Sequence, residues 1–277
     1  VRPSYRLTLA EEVGRGLALN ADLVSPIEVA QLESSLPGYR NTGTYIDQFH
    51  AILEGATSPC YLPEDPEIRL ATQGLYCLAT DEESAKARRE DPELAVFIQL
   101  VLDQKDWAMR IFDAVQSGAI RKTAIHGDTK IENFLFSRQD GRVRSLVDLD
   151  TIMPYTWLAD WGDMMRSLCN VAGEKERDLS KVQVDLDVYE AVTRGFLTTA
   201  REGQPEEIIL MVEAVKTITF ELGLRFLTDY LRGDNYFALG EDDPQDLNKV
   251  RAMVQFTLFN RLKEKEHHLN SLVTSFC

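Results

Sequence analysis

Hydrophobic residues recur at helical spacing along most of this chain, and the interruptions gather in one short central region. Thr44 to Glu54 puts Tyr45, Phe49, Ile52 and Leu53 on one face, with Thr44 placed to cap the start and Gly55 to end it. Ile68, Ala71, Leu75 and Leu78 repeat the pattern. Leu94, Phe97, Ile98, Val101, Ala108, Ile111, Phe112 and Val115 carry it on to a stop at Gly118. Three helices are therefore predicted ahead of residue 122. From Lys122 the character changes to β-branched and aromatic runs, Thr123-Ala124-Ile125, Asn133-Phe134-Leu135-Phe136 and Val143 through Val147, which read as short strands. After Pro154 the helical spacing returns in three stretches: Val188, Val192 and Phe196; Ile208, Ile209, Val212, Val215 and Leu222; and Leu247, Val250, Val254, Leu258 and Leu262. Loops are expected at 58–66, 79–92, 173–182 and 231–244, and none reads as an interdomain linker. The pattern predicts one α+β, mainly α domain over residues 1–277, with a small antiparallel β element near its centre.

Composition narrows the ligand. A 277-residue chain that is 44% hydrophobic can bury a sizeable core. Its formal charge of −15 opposes attraction to nucleic acid and to anionic lipid. No run approaches the roughly 20 apolar residues of a membrane span, and the first residues lack a signal-peptide core, so a cytoplasmic location is expected. Cys60, Cys77, Cys169 and Cys277 are scattered, which predicts reduced thiols and no zinc site. The expected ligand is a small molecule.

The polar residues of the β region have the makings of phosphoryl transfer. Residues 126–133 read His-Gly-Asp-Thr-Lys-Ile-Glu-Asn, and Val147-Asp148-Leu149-Asp150 follows. That chemistry needs a carboxylate to orient and deprotonate a hydroxyl, a cation on the transferring phosphate and oxygen ligands for Mg²⁺. Asp140-Gly141 signals a two-residue type I′ turn. With that turn, paired residue numbers sum to 281, so Asn133 faces Asp148 across the hairpin, close enough for both to hold one metal ion. Asp128 is the candidate general base and Lys130 the candidate phosphate cation. Asp150 either shares the metal or orients its neighbour. His126 is expected to scaffold the loop rather than transfer a proton, and Asp163 and Arg166 to hold the loop first and touch ligand second.

At these residues the sequence resembles the aminoglycoside phosphotransferase and choline kinase superfamily, whose catalytic loop has the form H-x-D-x-x-x-x-N followed by an acidic metal ligand. The runs 126–136, 147–154 and 160–166, together with 36–42 and 221–237, are similar to the N-acetylhexosamine 1-kinase group. The resemblance implies a protein-kinase-like C-terminal lobe acting on a small sugar, with ATP as co-substrate and Mg²⁺ as cofactor. It implies that Asp128 activates the sugar hydroxyl, that Asn133 and Asp148 bind Mg²⁺, and that Arg225 and Tyr236 hold the sugar. Kinases of this superfamily also carry an N-terminal lobe of strands with a lysine for the ATP phosphates. No such strands precede the loop here, so the chain is expected either to be a fragment of a longer kinase or a shortened homologue that binds without catalysing. Apolar surface normally covered by that lobe would support self-association. Choline or an aminoglycoside is the alternative acceptor.

Overall fold

The computed structural model describes residues 3–21, 42–53, 82–200 and 205–276. The helix predicted around Ile68 to Leu78, the segment 36–41, and Cys60, Cys77 and Cys277 lie outside them. The order of elements is α1 (Pro3–Ala21), α2 (Thr42–Leu53), α3 (Glu82–Arg89), α4 (Ala95–Asp103), α5 (Lys105–Ala108), α6 (Arg110–Gln116), β1 (Thr123–Ile125), β2 (Phe134–Phe136), β3 (Val143–Leu146), β4 (Met153–Tyr155), α7 (Trp157–Cys169), α8 (Leu186–Leu197), α9 (Pro205–Ile208), α10 (Met211–Arg232) and α11 (Leu247–Thr274). The mainly helical α+β class is as expected. No described helix is long and apolar enough to cross a membrane.

Two hydrophobic cores share the long helices. Trp157, Leu158, Trp161, Met164 and Met165 of α7 build the first with α1, α6 and α8. Phe220, Leu224, Phe226, Leu227, Phe256 and Phe259 of α10 and α11 build the second with α2, α4 and α5. The division explains a departure from the predicted pattern. The stretch 94–115 is three helices joined at Gln104 and Met109, not one. Leu94, Phe97, Val101 and Ala108 belong to the second core, whereas Ile111 and Val115 belong to the first. One straight helix could not turn its apolar face from one core to the other, and the breaks do so while Trp107 packs on Phe220 and Phe259.

Other departures are local. The predicted loop 79–92 contains α3, which Arg88 ties to Asp234 (2.7 Å). Helix α1 was not foreseen. It crosses α8 at a backbone distance that only glycine allows: a Cβ at Gly195 would lie 1.9 Å from the Glu11 carbonyl oxygen. The β element is two separate antiparallel pairs, β1 with β4 and β2 with β3. Strand β4 was hidden by its central Pro154, which pairs with Ala124 on a two-stranded ribbon where a missing N–H is tolerated.

The hairpin register differs from the predicted one. Phe134 pairs with Leu146 and Leu135 with Ser145, a sum of 280, and the ladder shifts again between Leu135 and Phe136. Asp140 does not take a positive φ; only Gly141 does (71°). The Ser137 hydroxyl instead accepts from the Gln139 and Asp140 N–H groups (3.2 and 3.4 Å), and the Gly141 N–H closes on the Ser137 carbonyl (2.9 Å). This wider turn slips the pairing, so the Val147 N–H bonds the Asn133 carbonyl (2.9 Å) and Asp148 lies one residue past the predicted position.

Candidate active site

The loop between β1 and β2 takes its shape from two carboxylates on α7. Asp160 is buried, and its two oxygens accept from the N–H groups of His126 (2.7 Å) and Gly127 (2.8 Å). Its carbonyl accepts from the Thr129 hydroxyl (2.6 Å). One helical turn on, Asp163 accepts from the Thr129 N–H (2.8 Å) through Oδ2 and from Arg166 through Oδ1 (2.6 Å). Burial raises the Asp160 pKa to about 6, against the pull of the two N–H groups it accepts from. Gly127 is needed where the loop turns: its φ is 79°, and a Cβ there would meet the Thr151 carbonyl oxygen at 2.7 Å.

His126 supports this turn from within. The Asp128 N–H donates to its Nδ1 (3.3 Å), which makes Nδ1 an acceptor and leaves Nε2–H to donate to the Val147 carbonyl (2.9 Å). The ring thus has both nitrogens engaged with backbone, joining the loop to the chain just ahead of Asp148. The Thr151 hydroxyl donates to the His126 carbonyl (2.7 Å) from the other side.

Asp128, Lys130 and Asn133 come together on this loop. Lys130 Nζ donates to Asp128 Oδ2, and Asn133 Nδ2 donates to the Asp128 carbonyl (2.8 Å) and to Asp128 Oδ2 (3.0 Å). Asn133 is buried, whereas the Asp128 side chain keeps 31% of its surface open. The hydrogen bond to Asp128 raises the Lys130 pKa despite partial desolvation, and the charges of Asp148 and Asp163 add to the effect. Asp148 takes a left-handed conformation (φ 69°, ψ 64°), one of two non-glycine residues with positive φ among the described residues. Strain of that kind gathers at functional sites. Asp150 is exposed on the 3₁₀ turn Leu149–Thr151, and no group of three His, Cys, Asp or Glu residues converges on a metal position among the described residues.

Arg225 and Tyr236 meet in a second cluster. Arg225 Nη2 donates to the Tyr236 hydroxyl (3.4 Å), and its guanidinium lies 5.4 to 5.6 Å from the ring centres of Tyr45, Phe237 and Tyr236. Tyr236 is 61% exposed. The turn that carries it is held by Asp229, which accepts from the N–H groups of Asn235 (3.1 Å), Tyr236 (2.8 Å) and Phe237 (2.8 Å).

Asp160 and Asp229 were missing from the predicted site because their partners are backbone N–H groups, which a sequence does not display. The available signal was the spacing of Asp160 and Asp163, three residues apart and so on one helix face.

A mainly helical domain whose polar loop hangs between short strands and is pinned by two carboxylates of the following helix has the protein-kinase-like architecture. Residues 8–191 match the phosphotransferase enzyme family (APH), and the chain belongs to that family. It is similar in fold to an ethanolamine kinase from Plasmodium vivax, with a TM-score of 0.51 at 14% identity over 92% of this chain and 60% of that one. The chain thus spans about three fifths of that enzyme's length.

Proposed function

We propose that this chain carries the catalytic and acceptor-binding residues of an ATP-dependent phosphotransferase whose acceptor is a hydroxyl of a small sugar, a hexosamine or N-acetylhexosamine, with the uncharged N-acetylated form favoured over the free, cationic amine. The observation that carries the reading is the partly open Asp128 carboxylate, held between Lys130 and Asn133 on a pinned loop. In this reading Asp128 orients the acceptor hydroxyl and takes its proton as the new O–P bond forms and the bond from the γ-phosphorus to ADP breaks. Lys130 offsets charge on the group in transit.

The donor set suits Mg²⁺. Asn133 spends both amide hydrogens on Asp128, which leaves Oδ1 as its ligand atom, and Asp148 follows Val147, whose N–H bonds the Asn133 carbonyl. Mg²⁺ is held by one or two carboxylates together with waters and substrate phosphates, so it needs no cage of three acidic residues. Asn133 and Asp148 would hold it, with Asp150 joining directly or through water. Bound there, the ion would neutralise phosphate charge. Leu135, 49% exposed and two residues beyond Asn133, offers apolar surface to the nucleotide.

Arg225 supports a neutral acceptor. Three rings surround a place that would suit a cationic ligand, but a guanidinium already fills it, so choline, ethanolamine or an aminoglycoside would meet a like charge. The test is ADP release by the full-length coding product, with Mg²⁺-ATP and a panel of hexoses, N-acetylhexosamines, choline, ethanolamine and aminoglycosides. Neutral sugars are expected to drive release, and Arg225→Met to raise their KM by about 10- to 100-fold, the worth of a charged hydrogen bond. Release driven by the cationic acceptors alone would overturn the sugar assignment.

A further inference from the structure

Glu174 lies on the segment between α7 and α8, and each of its carboxylate oxygens serves an arginine from a different helix. Oε1 accepts from Arg166 Nη1 (2.8 Å) and Oε2 from Arg251 Nη2 (3.0 Å). The Arg166 side chain is 6% exposed, and its other donors hold Asp163, whose far oxygen accepts from the Thr129 N–H of the catalytic loop. Arg251 stacks 3.8 Å from the centre of Phe226 and donates to Asn248 Oδ1 (3.3 Å). Asn248 in turn donates to the Phe237 carbonyl (2.9 Å) and to Asp234 Oδ1 (3.0 Å). An unbroken line of partners therefore runs from Thr129 to the turn that presents Tyr236.

The charges along this line balance, with two guanidiniums matched by Asp163 and Glu174. Burial opposes ionisation of Glu174, yet Arg166 and Arg251 outweigh it and hold the pKa below the ordinary carboxyl value. Without that carboxylate the two guanidiniums would face each other across a shared gap. A glutamine would turn an N–H₂ group on one of them.

We infer that Glu174 is a positioning residue that fixes the catalytic loop and the turn 233–237 relative to each other. That the turn binds an acceptor rests on the phosphotransferase reading; the mechanical link does not. Hydrogen exchange of the full-length protein without substrate tests the link directly. Glu174→Gln is expected to speed exchange about tenfold at the Thr129 amide and at the Tyr236 and Phe237 amides together, while amides within Phe220–Leu227 keep their protection. Glu174→Asp keeps the charge but shortens the reach to both arginines, and it is expected to show the same two-ended change to a smaller degree. Faster exchange confined to 171–178, a change at one end only, or an even loss through α10 would overturn the inference. In turnover, Glu174→Gln is expected to raise the acceptor KM about tenfold with a smaller effect on the KM for ATP, a split that general loss of fold would not produce. A protein with no acceptor-dependent ADP release would count against the phosphotransferase reading and leave the exchange result to decide the link.

Discussion

Gln255 on α11 has no exposed surface, and neither atom of its amide finds a hydrogen-bond partner. An amide buried in that way costs about 1–3 kcal/mol. Gln255→Met is expected to stabilise the fold by about 1 kcal/mol in urea unfolding, and a loss of stability would mean that the amide is satisfied. Asp160 links stability to pH. Its pKa of about 6 lies above the ordinary carboxyl value because it is buried, so between about pH 4 and 6 the folded protein keeps a proton that the unfolded chain has released. The wild type's stability relative to Asp160→Asn should therefore fall by about 2–3 kcal/mol over that interval and stay level above it. A relative stability that rises from pH 4 to 6 would contradict this sign. Candidate side chains set close together in one run, Asp128, Lys130 and Asn133, were legible in the sequence, although Lys130 reads there toward a phosphate and pairs here with Asp128. Those whose partners are backbone amides, such as Asp160 and Asp229, were not.

Among the elements, the pairing of α1 with α8 depends on two glycines that sequence periodicity does not flag. A Cβ at Gly14 would stand 2.2 Å from the Val192 carbonyl oxygen, and one at Gly195 stands closer still to Glu11. Gly195→Ala is expected to destabilise the protein by about 2–3 kcal/mol in urea unfolding, since backbone on both sides must separate. A neutral result would mean that the helices slide apart at little cost. The hairpin shows how local chemistry escapes a composition rule. Asp-Gly predicted a two-residue turn, but the Ser137 hydroxyl offered the backbone another closure, and one slipped residue moved Asp148 out of direct pairing with Asn133. The long helices were legible because their apolar spacing persists for several turns, whereas the breaks at Gln104 and Met109 answer to which core each turn must reach.

Across the whole molecule, the loop that carries Asp128 stands on the first core and the Arg225 cluster on the second, with α10 contributing to both. The mainly helical class followed from periodicity, and the polar loop from one eight-residue run. The meeting of Arg225, Tyr45 and Tyr236 across more than 180 residues of chain followed from neither, because only tertiary packing brings α2, α10 and the turn after it together. The same packing is what would let a loop on one core act on an acceptor held by the other. The role proposed for Asp128, handling the proton of the acceptor hydroxyl, can be measured as acceptor-dependent ADP release by Asp128→Asn, with ATP binding followed alongside. Turnover is expected to fall by about 10²- to 10⁴-fold with ATP affinity retained. Turnover close to that of the wild type would contradict it.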